Sequence, residues 1–159
     1  MLELEHYYKG YKSKSARWAR FGPYYAMFPV SFAFEVINKY SKRGDKILDP
    51  FSGRGTSIFA GSALSRQSVG IEINPLGWIY GSVKLYPAKK DKVLARLKEI
   101  YDLRGNYELE AKNCSDFFKM CFCEDVLKFL FSAKTNLDWK HNHIDRTLIA
   151  FIAYYLHAG

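Results

Sequence analysis

The stretch that most constrains this chain is Lys46-Ile47-Leu48-Asp49-Pro50-Phe51-Ser52-Gly53-Arg54-Gly55-Thr56. It predicts a short buried strand ending at Asp49, a tight glycine turn, and a helix over 57–64. Together they make a cradle for a polar ligand. Glycine lets a ligand approach the backbone, and the first N–H groups of a helix have no partner inside it. The next signal is Ser68-Val69-Gly70-Ile71-Glu72-Ile73-Asn74-Pro75. It predicts a second parallel strand with Glu72 near its carboxyl end. In an open α/β sheet, ligands sit outside that end of the strands, and an acid there can accept the two hydroxyls of a ribose.

Three readings of this corner compete. A nicotinamide dinucleotide site asks for a third glycine three residues after the second, and that position is Ile58. The strand also ends in Asp-Pro-Phe, which that pattern does not require. A plain strand-turn-helix without a ligand is the second possibility. The third rests on a family likeness. Asp-Pro-Phe-Ser-Gly-Arg-Gly-Thr followed by Gly-Ile-Glu-Ile-Asn-Pro resembles the cofactor half of the amino-group DNA methyltransferases. These use S-adenosylmethionine (AdoMet) to methylate an exocyclic nitrogen of adenine or cytosine. Phe21-Gly22-Pro23-Tyr24-Tyr25-Ala26-Met27-Phe28-Pro29 is similar to the segment that closes over the methionine end of AdoMet in that family. The resemblance covers roughly residues 17–87.

The resemblance implies a cofactor set of Phe28, Pro29, Asp49, Phe51, Gly53, Gly55, Thr56, Glu72, Ile73 and Asn74. Asp49 would help fix the methionine amino group, although a strand-end Asp can also simply cap the turn. Phe51 would pack on the ligand or serve as an ordinary core residue. Thr56 would cap the helix, touch the ligand, or both. Glu72 would take the ribose hydroxyls, with a surface glutamate as the bland alternative. The implied fold is α/β, a partial Rossmann-like AdoMet methyltransferase fold of parallel strands with flanking helices, followed by a helical C-terminal part.

The family also needs a catalytic tetrapeptide, an Asp, Asn or Ser followed by Pro-Pro and an aromatic. Its polar groups accept the amino hydrogens and its ring stacks on the flipped base. The prolines here are at 23, 29, 50, 75 and 87, and none are adjacent. No catalytic residue is therefore assigned. The chain alone is expected to be inactive, the N-terminal part of a truncated or split enzyme whose second polypeptide carries the motif and the target-reading region. The alternatives are a non-catalytic remnant or interaction subunit, or an AdoMet enzyme acting on RNA or protein.

Charge agrees with a nucleic-acid partner. The 159 residues carry a net charge of +8, which favours a polyanion through phosphate contacts and counterion release. Residues 1–20 interleave lysine and arginine with tyrosine and tryptophan, which suits backbone contact and base stacking. Lys12, Lys14, Arg17 and Arg20 are the candidate contacts to double-stranded DNA. A solvated arm whose aromatics pack back on the domain is the alternative.

Three segments are expected: a basic aromatic arm (1–20), an AdoMet-binding strand-helix-strand core (21–88) and a helical region (89–159). Helices are predicted over 30–41, with Val30, Phe34, Ile37 and Tyr40-Ser41 inward, and over 76–84. Further helices are predicted over 90–103, with Val93, Leu94, Leu97, Ile100 and Tyr101 inward, over 114–133, and over 145–157. Asp116 reads as an acid placed at a helix start by the dipole. Cys114, Cys121 and Cys123 lack zinc-site spacing and read as small core residues. No apolar run approaches a membrane span. The start has acids where a signal peptide carries basic residues, so a reducing cytoplasm is the expected home.

Overall fold

The computed structural model describes Tyr7, residues 13–24 and residues 27–156. It is an α/β structure whose described elements are two parallel strands and nine α-helices. They fall into two compact units, residues 1–87 with 152–159, and residues 88–151.

The first unit holds the glycine corner. Helix α1 (Lys14–Ala19) starts at Ser13, whose hydroxyl accepts the Ala16 N–H at 3.0 Å. Helix α2 (Val30–Tyr40) starts after Pro29, whose ring suits a helix entry. Strand β1 (Lys46–Asp49) leads through the corner into α3 (Thr56–Ala63). Strand β2 (Gln67–Gly70) follows, then α4 (Pro75–Leu85). The strands pair in parallel, from Lys46 opposite Gln67 to Asp49 opposite Gly70. The core lies on one side of this sheet. Ala19, Val30, Ala33, Phe34 and Ile37 pack with Ala60 and Leu64, and Ile47 reaches them from β1. Arg66 ties the end of α2 to the end of α3, donating to Ser41 Oγ (2.9 Å), the Ser41 carbonyl (2.7 Å) and the Leu64 carbonyl (2.6 Å).

Among the described residues, the side chains on the other side of the sheet are exposed. Leu48 is 66% exposed and Val69 60%, while Ile47 and Ser68 face α3. Parallel sheets normally have both faces covered.

Several expectations change at this level. Tyr40, expected inward, is exposed because α2 ends there and the chain leaves as extended backbone at Ser41. The second strand ends at Gly70, so Glu72 lies in the loop beyond it. Tyr7 does stack on Phe34, 5.0 Å between ring centres, and Trp18 stacks on Phe21 at 4.9 Å. For those two aromatics the packed-back alternative is what the structure adopts. Tyr8, Tyr11 and Lys12 lie outside the described residues.

The second unit is helical. It contains α5 (Lys90–Asp102), a 3-10 turn (Leu103–Tyr107), α6 (Glu108–Asn113), α7 (Asp116–Cys121), α8 (Glu124–Asn136) and most of α9 (His143–Tyr155). Asp116 opens α7, as expected of a helix-start acid. The single helix expected over 114–133 is two, because Phe122 and Cys123 adopt extended backbone. The cysteine expectation fails with it. Cys121 and Cys123 sit on this surface link and are exposed, and Cys114 is half-buried. Helix α6 was not expected, since Gly105 suggested a stop. Leu94 and Tyr101 are half exposed rather than inward, because they line an open groove of about 520 Å³ between α5 and α8. Ile100 is buried as expected, and the Ser132 hydroxyl donates to its carbonyl at 2.8 Å.

Candidate functional site

The corner is built by close approach. Gly55 has φ +78°, and a Cβ added there would lie 2.7 Å from the Gly81 Cα of α4. Gly55 is thus the only residue type that both adopts this left-handed turn without strain and lets α4 pack against the mouth of α3. Ile58 stands where a dinucleotide site would need its third glycine. Its side chain fills the gap beside Gly55, Gly70 and Gly81.

Two carboxylates brace the corner. Asp49 accepts the Phe51 N–H at 3.0 Å and, on its other oxygen, the Ser57 hydroxyl. Glu72 accepts the Gly53 N–H at 2.7 Å and the Asn74 N–H at 2.8 Å. The Tyr24 hydroxyl also donates to Glu72, at 3.4 Å. Burial, then the Glu72 charge and this hydrogen bond, hold the Tyr24 hydroxyl above its ordinary pKa. Glu72 is therefore anchored at the corner rather than extended on the surface. An added Cβ on Gly77 would meet Glu72 Cγ at 2.9 Å and the Gly53 carbonyl at 3.0 Å. Tyr24, Ser57 and Gly77 were not singled out from sequence. Their contacts cross 48, 8 and 5 residues, which no local pattern encodes, although Tyr24 lies in the segment resembling the methionine wall.

The remaining candidates divide. Phe51 is 88% exposed and Ile73 95%, so both apolar side chains stand bare at the rim of the corner. This removes the core reading of Phe51. Asn74 caps α4, its side chain accepting the Leu76 N–H at 2.9 Å. Thr56 is buried, and its hydroxyl accepts from Arg54 Nε at 3.3 Å. Phe28 and Pro29 border a concavity of about 600 Å³ whose other walls include Arg17, Arg20, Arg54 and Tyr154. Lys14 and Arg17 are exposed on α1. Arg20 turns back, donating to the Ala16 carbonyl at 3.0 Å.

Two buried cations hold the corner from behind. The Arg54 guanidinium donates to the carbonyls of Arg20 (2.8 Å) and Gly22 (3.1 Å). Lys84 donates to the Arg54 carbonyl at 2.9 Å. Burial first, and then the Arg54 charge, push the Lys84 pKa down to about 7. Between that value and the ordinary 10.5, the unfolded chain binds a proton that the folded chain does not. The Lys84 contribution to stability therefore improves as pH rises through this window. Melting curves should show it as an upward slope that Lys84→Met flattens. An identical slope in both proteins would exclude this assignment.

Strand, glycine corner, helix, second strand and a following acid make an α/β unit whose corner lies at the carboxyl ends of its strands, where ligands of open α/β sheets sit. Residues 2–76 match the family described as DNA methylase. The chain is 43% identical over 49 residues to the type II methyltransferase M.MthZI of Methanothermobacter thermautotrophicus, covering 31% of this chain and 14% of that protein. It is 39% identical over 66 residues to M.AvaI of Nostoc, covering 41% and 14%. It is 31% identical over 97 residues to M.MvaI of Kocuria varians, covering 55% and 21%. The chain thus spans about a seventh to a fifth of the length of these relatives. No solved structure matches it. Residues 2–76, a little under half of the chain, are thus similar to part of the DNA methylases. Among the described residues, no helix is long and apolar enough to cross a membrane, and no three His, Cys, Asp or Glu side chains are grouped to hold a metal ion.

Proposed function

We propose that this chain is the AdoMet-binding part of a site-specific DNA methyltransferase that modifies an exocyclic amino nitrogen of cytosine or adenine. The observation that carries the reading is the Glu72 carboxylate, hydrogen-bonded to the Gly53 amide at the mouth of α3. It places the acid of one strand end at the glycine turn of its neighbour, where a ribose and the rest of a nucleoside can be held together. Glu72 would take the ribose hydroxyls. Ile73, Asn74 and Phe51 would border the adenine, while Phe28, Pro29 and Asp49 would serve the methionine end. Gly53, Gly55 and Thr56 would keep the cradle open and shaped. When bound, AdoMet supplies an electrophilic methyl group. Lys12, Lys14, Arg17 and Arg20 would touch the DNA backbone.

The catalytic Pro-Pro-aromatic motif would come from outside these 159 residues, in our reading from a second polypeptide. The exposure of Leu48 and Val69 on β1 and β2 supports this, because parallel sheets normally have both faces covered. The cytoplasm is the compartment we propose. A second reading is a non-catalytic subunit that keeps the cradle's shape. It is favoured by the corner's own backbone already satisfying Asp49 and Glu72.

Calorimetry with AdoMet tests the first reading. The parent should bind, and Glu72→Gln should weaken binding about ten-fold or more, since hydrogen bonds to charged groups contribute about 1.5–3 kcal/mol. No binding by the parent would leave the non-catalytic reading. The pure chain should not methylate DNA. Robust transfer by it would refute the need for a second polypeptide.

A further inference from the structure

We propose that Lys84 is a positioning residue for the cofactor cradle: its amine grips the backbone of the glycine corner from within α4, and AdoMet affinity depends on that grip. The inference rests on the AdoMet reading given above.

The side chain of Lys84 is 2% exposed. A lysine amine has three N–H donors when protonated and two when neutral. Among the described residues its one hydrogen-bond acceptor is the Arg54 carbonyl. That carbonyl lies between Gly53 (φ +50°) and Gly55 (φ +78°), the two residues that turn the corner. The Lys84 backbone carbonyl in turn accepts Trp18 Nε1–H at 3.1 Å, which fixes this part of α4 against α1. The corner is held by its backbone through Lys84 and by its Arg54 side chain through the carbonyls of Arg20 and Gly22. These two grips come from opposite directions in sequence and act on a corner whose Gly53 N–H goes to Glu72 and whose Gly55 N–H goes to the Ser52 carbonyl at 2.7 Å.

Stability does not explain a lysine here. No carboxylate among the described residues pairs with it, and the charged group facing it is the like-charged Arg54. Tyr80, one turn earlier on α4, is a buried phenol whose pKa burial and Tyr154 push up to about 12, so it supplies no negative charge at neutral pH. A methionine of similar length would fill the same space without the desolvation cost of an amine. What methionine cannot do is donate to the corner.

The test separates these contributions. Lys84→Met should melt no lower than the parent, yet bind AdoMet about ten-fold more weakly, the loss expected of one hydrogen bond. Lys84→Gln, which keeps an N–H donor, should recover part of that affinity. Without AdoMet, the Gly53 and Gly55 amides of Lys84→Met should exchange with deuterium about ten-fold faster than in the parent. Parental affinity in Lys84→Met overturns the proposal, as do parental exchange rates. So does a Met variant that unfolds, because the amine would then serve stability. If the parent itself binds no AdoMet, the cofactor reading fails, and the dependence proposed here fails with it. Exchange at Gly53 and Gly55 still shows in that case whether the mechanical grip exists.

Discussion

Gly55→Val is expected to abolish AdoMet binding and to destabilise the first unit by several kcal/mol. Two costs combine. A non-glycine residue at φ +78° carries about 1–3 kcal/mol of backbone strain, more for a β-branched side chain. The new Cβ would also sit 2.7 Å from the Gly81 Cα, a contact that only movement of α4 away from α3 can relieve. Such movement opens the corner that Lys84 and Glu72 hold. Gly44 provides the control. Its φ is +90°, but an added Cβ there meets nothing within 4 Å. Gly44→Ala should therefore show the strain alone, and Gly55→Ala the strain plus the collision. Thermal melts of the two alanine variants measure the difference. Equal losses would show that α4 yields freely and that close packing at the corner is unimportant.

The second large effect is expected in the helical unit. Asp145 is 2% exposed and accepts Arg96 Nε at 2.8 Å and the Asp138 N–H at 2.9 Å. Arg96 also donates to the Asn136 carbonyl at 2.5 Å. One carboxylate thus joins α5, the end of α8 and the loop before α9. The ion pair and hydrogen bonds hold Arg96 even more firmly protonated than usual. Asp145→Ala leaves the Asp138 amide without its acceptor and Arg96 with only Glu99 and the Asn136 carbonyl, at a cost of about 1–3 kcal/mol. Asp145→Asn keeps the shape and one acceptor and should lose less. Urea titration of both variants reads the two losses. An alanine variant within about 0.5 kcal/mol of the parent would mean that solvent replaces the carboxylate without difficulty.

The elements around the corner were legible because their signals are local. An apolar run, two glycines and a helix-forming stretch follow one another within 19 residues, and the bounds of α3 and α4 differ from expectation by one residue. The acid at position 72 was legible as a position, though not as a ligand of the Gly53 amide. The helical unit was less legible. Apolar residues at helical spacing show which side could be buried, but not whether a neighbour covers it. Leu94, Tyr101 and the cysteines were misplaced for that reason. Net charge was a blunt guide as well. Arg54, Arg66, Arg96 and Lys84 count toward +8, yet each is spent on internal hydrogen bonds.

By itself, the order of residues from Lys46 to Asn74 determined that a strand, a glycine turn, a helix and an acid would occur in that sequence. Backbone preferences of neighbouring residues act over a few positions, and they suffice for this. Only the tertiary structure decided which groups hold the turn: Tyr24 and Gly77 against Glu72, Gly81 against Gly55, and Lys84 on the Arg54 carbonyl. Those contacts depend on how α4 lies across the mouth of α3. That placement follows from the packing of side chains distant in sequence, with Ile58 seated among three glycines.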